Sequence, residues 1–181
     1  MKNKKIALVD LMGGFGNQLF QFSYAKYLED AGFETYINQF NLIRNKYKKN
    51  SIITKRELLL PISFFEFKEI SKLSFIKYDL IDKLKIDKLS LLNKSSKFKE
   101  YFSWINESNK NKSTYAKYNR FTGYWQDVDI FYKNKDFILK SISKDKTINK
   151  TLTQEKAKGS TALHIRRKDY ITLGEDLSIN F

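Results

Sequence analysis

Ile6-Ala7-Leu8-Val9 runs through Asp10-Leu11-Met12 into Gly13-Gly14-Phe15-Gly16-Asn17-Gln18, and this stretch decides the fold. A short apolar run bounded by turn residues reads as a strand buried on both faces, as in a parallel sheet. The glycines that follow open a turn whose backbone can reach φ > 0 and approach a ligand with no Cβ in the way. A helix starting there aims free N–H groups and the positive end of its dipole at whatever lies above the turn, which suits phosphate. Gly14 and Gly16 are therefore candidate binding positions, and Asn17 and Gln18 add amides that both donate and accept. Two nucleotide motifs do not fit. Leu19 stands where G-x-G-x-x-G needs its third glycine, and Asn38 rather than an acid follows the next strand at Thr35-Tyr36-Ile37. The turn also lacks the Lys-Ser/Thr ending of a P-loop. A glycine-rich turn that only packs well is the plainer alternative.

From Asn17 the positions Phe20, Tyr24, Tyr27, Leu28 and Ala31 follow a helical stripe, and Gly32 stands where a C′ residue belongs. With Thr35–Ile37 as the second strand this is a βαβ unit, whose crossover is expected to be right-handed. Pro61 starts a short helix or turn. Leu80-Ile81, Leu84, Leu91-Leu92 and Phe98 suggest helical segments between polar loops. Phe121–Gln126 reads as another strand, with Asp127 as an N-cap and Val128, Phe131, Ile138 and Ile142 lining a helix. Lys144–Ser160 reads as a linker or a helix, and Thr161–Ile165 as a strand ending at Arg166-Arg167.

His164-Ile165-Arg166-Arg167-Lys168-Asp169-Tyr170 is the stronger chemical motif. Paired arginines at the C-terminal end of a strand can clamp a diphosphate, because the guanidinium is planar, bidentate and permanently charged. The alternative is a basic surface cluster with Asp169 as its local ion-pair partner. Asp127-Val128-Asp129 imitates a metal-holding D-x-D, but acids at a helix N-terminus also cap free N–H groups and complement the dipole, and that reading is preferred. His164 is the sole histidine, so a histidine-rich metal site is excluded, and no nucleophile motif supports a Ser-His-Asp triad. Asp10, Asp169, Glu175 and Asp176 are the carboxylates nearest these motifs, and spacing does not choose a general base among them.

The segment Gly13–Ala25 closely resembles the N-terminal signature of glycosyltransferase family 11, the α-1,2-fucosyltransferases. Gly123-Tyr124-Trp125-Gln126 and His164–Tyr170 resemble further segments of that family in the same order. The resemblance implies a B-type fold of two Rossmann-like domains facing a cleft. Such enzymes transfer L-fucose from GDP-fucose to the 2-hydroxyl of a galactoside, with inversion and without a metal. By that likeness Arg166 is the main stabiliser of the leaving GDP and Arg167 supports it. His164 orients the loop or touches the nucleotide, and Asn17 contacts phosphate or acceptor from across the cleft. Lys168 departs from the family, which usually has glycine there. A φ > 0 at that position would cost lysine about 1 kcal/mol. The resemblance also implies that residues 1–158 form the acceptor-side Rossmann-like domain and that 159–181 open a GDP-fucose-binding domain. Family members continue well beyond that length, so the chain is expected to be an incomplete fragment, and an inactive remnant is one alternative.

The chain has 181 residues, 41% hydrophobic and 15% aromatic, ample for a packed core. It has no cysteine, which excludes disulfides, thiolate catalysis and cysteine-ligated metals. The apolar run after Met1-Lys2-Asn3-Lys4-Lys5 stops at Asp10, unlike a signal peptide, and no stretch approaches a membrane span. A cytoplasmic location is expected. Net charge is +14, and residues 42–118, with 18 Lys/Arg against 8 Asp/Glu, carry +10 of it. No nucleic-acid fold signature accompanies this charge, so no nucleic acid is expected. A solvated lysine surface explains it. A second hypothesis is a basic peripheral module that binds anionic lipid, at the inner face of the membrane, or nucleic acid; the lipid form draws on Phe64, Phe65, Phe67, Phe75 and Ile76, which interleave with the lysines.

Overall fold

The computed structural model describes residues 4–40, 42, 57–72, 74, 100–111 and 115–153. Its centre is β1 (Ile6–Asp10), whose Ala7, Leu8 and Val9 are all buried, as a two-sided strand must be. After the glycine turn comes α1 (Phe15–Asp30), then β2 (Glu34–Asn38) beside β1 in parallel, Ile6 opposite Glu34 and Asp10 opposite Asn38. The helix ends where Gly32 predicts. Gly32, at φ 91, donates its N–H to Glu29 O (2.9 Å), and Phe33 donates to Leu28 O (3.1 Å), which closes the last turn as a Schellman motif.

Pro61 precedes a 3₁₀ turn at Ile62–Phe65, and the two-residue β3 (Lys68–Glu69) joins β2 in parallel. On the other side β5 (Tyr118–Thr122) pairs with β1 and β4 (Phe102–Asn106) with β5, again in parallel. The sheet order is β3-β2-β1-β5-β4. With helices packed against it, this is an α/β, Rossmann-like arrangement. Among the described residues three helices follow β5: α2 (Val128–Lys133), α3 (Lys135–Ile142) and α4 (Lys146–Thr153).

Several expectations need correction. The strand expected at Phe121–Gln126 is β5 and runs Tyr118–Thr122, its pairing with β4 ending at Asn106, and beyond it Trp125 takes a left-handed φ of 54 that no strand tolerates. The helix drawn through Val128 and Ile142 is two helices broken at Asn134. The Asn134 amide donates to Ser23 O and Ile130 O, both at 3.1 Å, and so ties the joint to α1. Val128 is exposed rather than in the core. On α1 the buried set is wider than the apolar stripe and includes Gln18, Gln21 and Ser23, while Tyr27 is exposed. Phe65 and Phe67 are not a lipid-facing surface: both are buried, and Phe65 stacks on Phe22 with centroids 3.7 Å apart. The expected helices at 80–98, the strand at 161–165 and the domain boundary at 158 lie outside the described residues. Among the described residues, no helix is long and apolar enough to cross a membrane.

Candidate active site

In open α/β sheets ligands bind outside the carboxyl ends of the strands, where the strand order reverses. Here every strand among the described residues is parallel to its neighbours, so those ends share one edge, and the order reverses between β1 and β5. The floor of that place is Asp10, which is fully buried. Register puts it beside Asn38 and next in line to Thr122. Its Oδ1 accepts from Asn38 Nδ2 (2.5 Å), and its Oδ2 accepts from Arg120 Nε (2.8 Å) and Thr122 Oγ1 (2.8 Å). A buried carboxylate needs such a set of donors. Asp10 is thereby removed from the candidate general bases, since its oxygens are held inside the sheet.

The glycine turn rises from this floor. Gly13 has φ 75, and a Cβ there would lie 2.5 Å from Asn17 Nδ2 and 2.9 Å from Tyr124 Cε1. Gly14 is the N-cap of α1, and its carbonyl accepts the first helical bond, from Gln18 N at 3.0 Å. The N–H groups of Phe15, Gly16 and Asn17 precede that bond and have no intrahelical acceptor. Gly16 is exposed, with nothing within 4 Å of a built Cβ and no positive φ. Neither conformation nor packing requires glycine there.

Two glutamines one helical turn apart hold the turn in place. Gln18, expected on the ligand, is 1% exposed and turned inward. Its Nε2 donates to Gly13 O (3.2 Å) and Glu57 O (2.8 Å), and its Oε1 accepts from Leu59 N (3.4 Å). It fixes the loop and does not face the crevice. Gln21 is buried too. Its Oε1 accepts from Met12 N (3.0 Å) and its Nε2 donates to Gly123 O (2.9 Å), so one side chain joins the loops after β1 and β5.

Asn17 behaves differently. It is half-buried, and its Oδ1 accepts from Gln126 Nε2 at 2.7 Å, which leaves its own N–H donors without a partner among the described residues. The loop carrying Gln126 is held from the side of β4. Glu107 accepts from Trp125 N (2.6 Å) and Tyr124 N (3.2 Å). Trp125 turns into the core and stacks on Tyr24, centroids 4.2 Å apart and planes 6° from parallel. Burial pushes the Tyr24 hydroxyl far above its ordinary pKa, with smaller contributions from Tyr115, Tyr27 and Asp127, so the ring stays neutral. Along the same sheet edge, beside the segment that Gln18 holds, a cleft of about 660 Å³ opens between Gln39, Leu59, Pro61, Ser63 and Glu69.

Asp127 caps α2, its Oδ1 accepting from Ile130 N at 3.1 Å, and Asp129 lies in that helix's first turn. This is the helix-start reading of Asp-Val-Asp. Among the described residues no three His, Cys, Asp or Glu stand together as metal ligands. His164, Arg166, Arg167 and Asp169 lie outside the described residues. The structure thus brings Gly13 and Asn17 together with Tyr124 and Gln126, with Gly14 and Gly16 on the same turn, and adds Gln21 and Glu107, which sequence reasoning missed. A polar pair on a buried helix face just after a glycine turn was the available signal for Gln21. Glu107 left none.

The family model described as Glycosyl transferase family 11 matches residues 6–179. The chain is also similar to the alpha-1,2-colitosyltransferase of Escherichia coli, 28% identical over 191 residues of alignment. That alignment covers 97% of this chain and 59% of the relative, so the chain spans less than two thirds of the relative's length. No solved structure matches the chain.

Proposed function

The chain belongs to glycosyl transferase family 11, and from that membership we propose that it serves an inverting α-1,2-fucosyltransferase acting in cell-surface polysaccharide synthesis. The donor is GDP-fucose and the acceptor a galactoside. One observation carries the reading: the glycine turn and the Gly123–Gln126 loop converge over the ends of β1 and β5, joined by Asn17 and Gln126. The bond between the anomeric carbon and the GDP oxygen breaks as the acceptor 2-oxygen attacks from the opposite face. Negative charge grows on the departing diphosphate while the acceptor hydroxyl loses its proton.

The N–H groups at the start of α1 and the Asn17 amide donate toward a phosphate or an acceptor oxygen, and exposed Gly16 leaves room for close approach. Arg166 takes the main share of the leaving charge, with Arg167 beside it. His164 and Asp169 shape that loop. No metal is assigned a role, so activity should survive EDTA. A cytoplasmic location goes with this reading.

The colitosyltransferase relative favours a second reading in which the donor sugar is colitose, which is fucose lacking its 3-hydroxyl. Transfer from GDP-fucose and GDP-colitose to a galactoside, measured side by side, separates the two. Arg166→Ala should lower turnover roughly a hundred- to thousandfold, the about 3–4 kcal/mol expected for one preorganised charge contact to the transition state. Arg166→Lys should not restore it, because lysine lacks the planar fork. Near-wild-type turnover in Arg166→Ala removes that residue from the mechanism.

A further inference from the structure

The loop after β5 adopts a conformation that closing the sheet does not require. Trp125 sits in the left-handed region, disfavoured for a bulky side chain, and its buried indole N–H has no partner among the described residues. Two contacts hold it there: the Glu107 carboxylate on the N–H groups of Tyr124 and Trp125, and the stack of Trp125 on Tyr24. The result is a split between neighbours. Trp125 is 2% exposed and Tyr124 43%. The edge of the Tyr124 ring comes over Gly13, Cε1 lying 2.9 Å from where a Cβ would sit, and the Asn17 amide nitrogen approaches the same point to 2.5 Å. Tyr124 stacks on no other ring among the described residues. Gln126 closes the group through Asn17.

An open aromatic ring, two carboxamides and a missing side chain thus meet at the mouth of the crevice. The electron-rich face of an aromatic ring attracts the C–H face of a pyranose, and carboxamides serve its hydroxyls from either side of a hydrogen bond. The geometry points to a pyranose subsite on Tyr124, with Asn17 and Gln126 as its hydroxyl partners and Glu107 as the positioning residue that presents the ring. The subsite rests on the glycosyl-transfer reading and deepens it. The same chemistry serves an acceptor sugar or the sugar of the donor.

Saturation-transfer NMR on the full chain tests it with methyl β-galactoside, GDP-fucose and a panel of other methyl pyranosides. Tyr124→Ala should weaken sugar binding about threefold to tenfold, the worth of one aromatic contact, while Tyr124→Phe keeps it. Loss confined to the galactoside assigns the subsite to the acceptor, and loss confined to GDP-fucose assigns it to the donor. A Tyr124-dependent signal only from other pyranosides keeps the subsite and overturns the fucosyl–galactoside reading. Wild-type affinities in Tyr124→Ala, or no saturation transfer to any sugar, overturn the subsite. With Trp104→Phe as background, Trp125 is the single tryptophan, since the chain has two. Glu107→Gln should then shift its emission to the red and weaken sugar binding. Unchanged emission together with unchanged binding removes Glu107 from its positioning role.

Discussion

The loop after β1 passes through the left-handed region at Gly13, φ 75, and the loop after β5 does so at Trp125, φ 54. Glycine adopts that conformation without a Cβ penalty, whereas a bulky residue meets roughly 1–2 kcal/mol. The first loop therefore reaches its left-handed residue without strain, although Gln18 and Gln21 on α1 brace it. The second depends on residues elsewhere in the chain: Glu107 beyond β4, Tyr24 on α1 and Gln21 beneath Gly123. Two loops that together frame one crevice thus differ in how they respond to substitution. The left-handed residue of the glycine turn needs no outside support, whereas that of the other loop can be undone from a distance.

The largest effect should come from Gln21→Leu, which removes the side chain common to both loops. Similar in volume, leucine leaves Met12 N–H and Gly123 C=O without their partner. An unsatisfied buried group costs about 1–3 kcal/mol, and because these two are part-buried a combined loss of about 2–4 kcal/mol is expected in urea unfolding. A loss below about 1 kcal/mol would mean that the two loops are fixed independently, and the contrast between them would fall.

Gly13→Ala comes next. The left-handed penalty of roughly 1–2 kcal/mol should appear in stability, and Asn17 and Tyr124 must both move away from the new methyl group. Unfolding together with NMR of the Asn17 amide checks both parts. An unshifted amide at wild-type stability would contradict the described turn.

Gly16→Ala should give the smallest change and one of opposite sign. The position is helical, open and free of positive φ, so alanine should stabilise by up to about 1 kcal/mol. GDP-sugar binding should nevertheless weaken if a ligand approaches that backbone. A variant that gains stability and binds the nucleotide sugar as the wild type does would show that the helix start is not approached closely.

The central βαβ unit was legible because its signals are local: an apolar tetrapeptide, a glycine turn and a C′ glycine at Gly32. The 3₁₀ turn after Pro61 and the Asp127 cap were legible for the same reason. β3 and β4 were not. β3 is two exposed residues long, and β4, although its Phe102, Trp104 and Ile105 favour a strand, is a five-residue run set among lysine- and serine-rich flanks. The limit of β5 was misplaced because a tryptophan at φ > 0 looks in sequence like one more strand residue. In the candidate site the structure places the glycine turn and Asn17 beside Gln126, whereas Gln18, read from sequence as a ligand contact, is buried, because nothing in the sequence shows which way a side chain on a buried helix turns. Glu107 was invisible because its partners are backbone N–H groups, which no sequence pattern records.

The Asp10 carboxylate also bears on the order of events during synthesis. Asn38 is made soon after Asp10, but Arg120 and Thr122 emerge more than eighty residues after Asn38. Until then the ends of β1 and β2 cannot be sealed without stranding a negative charge in a dry interior, at a penalty of several kcal/mol. The nascent β1–α1–β2 unit is thus kept open at the edge where the crevice forms, and the arrival of β5 is what locks it. A ribosome-stalled chain should therefore gain protease resistance in β1 and β2 abruptly, once residue 122 has cleared the exit tunnel.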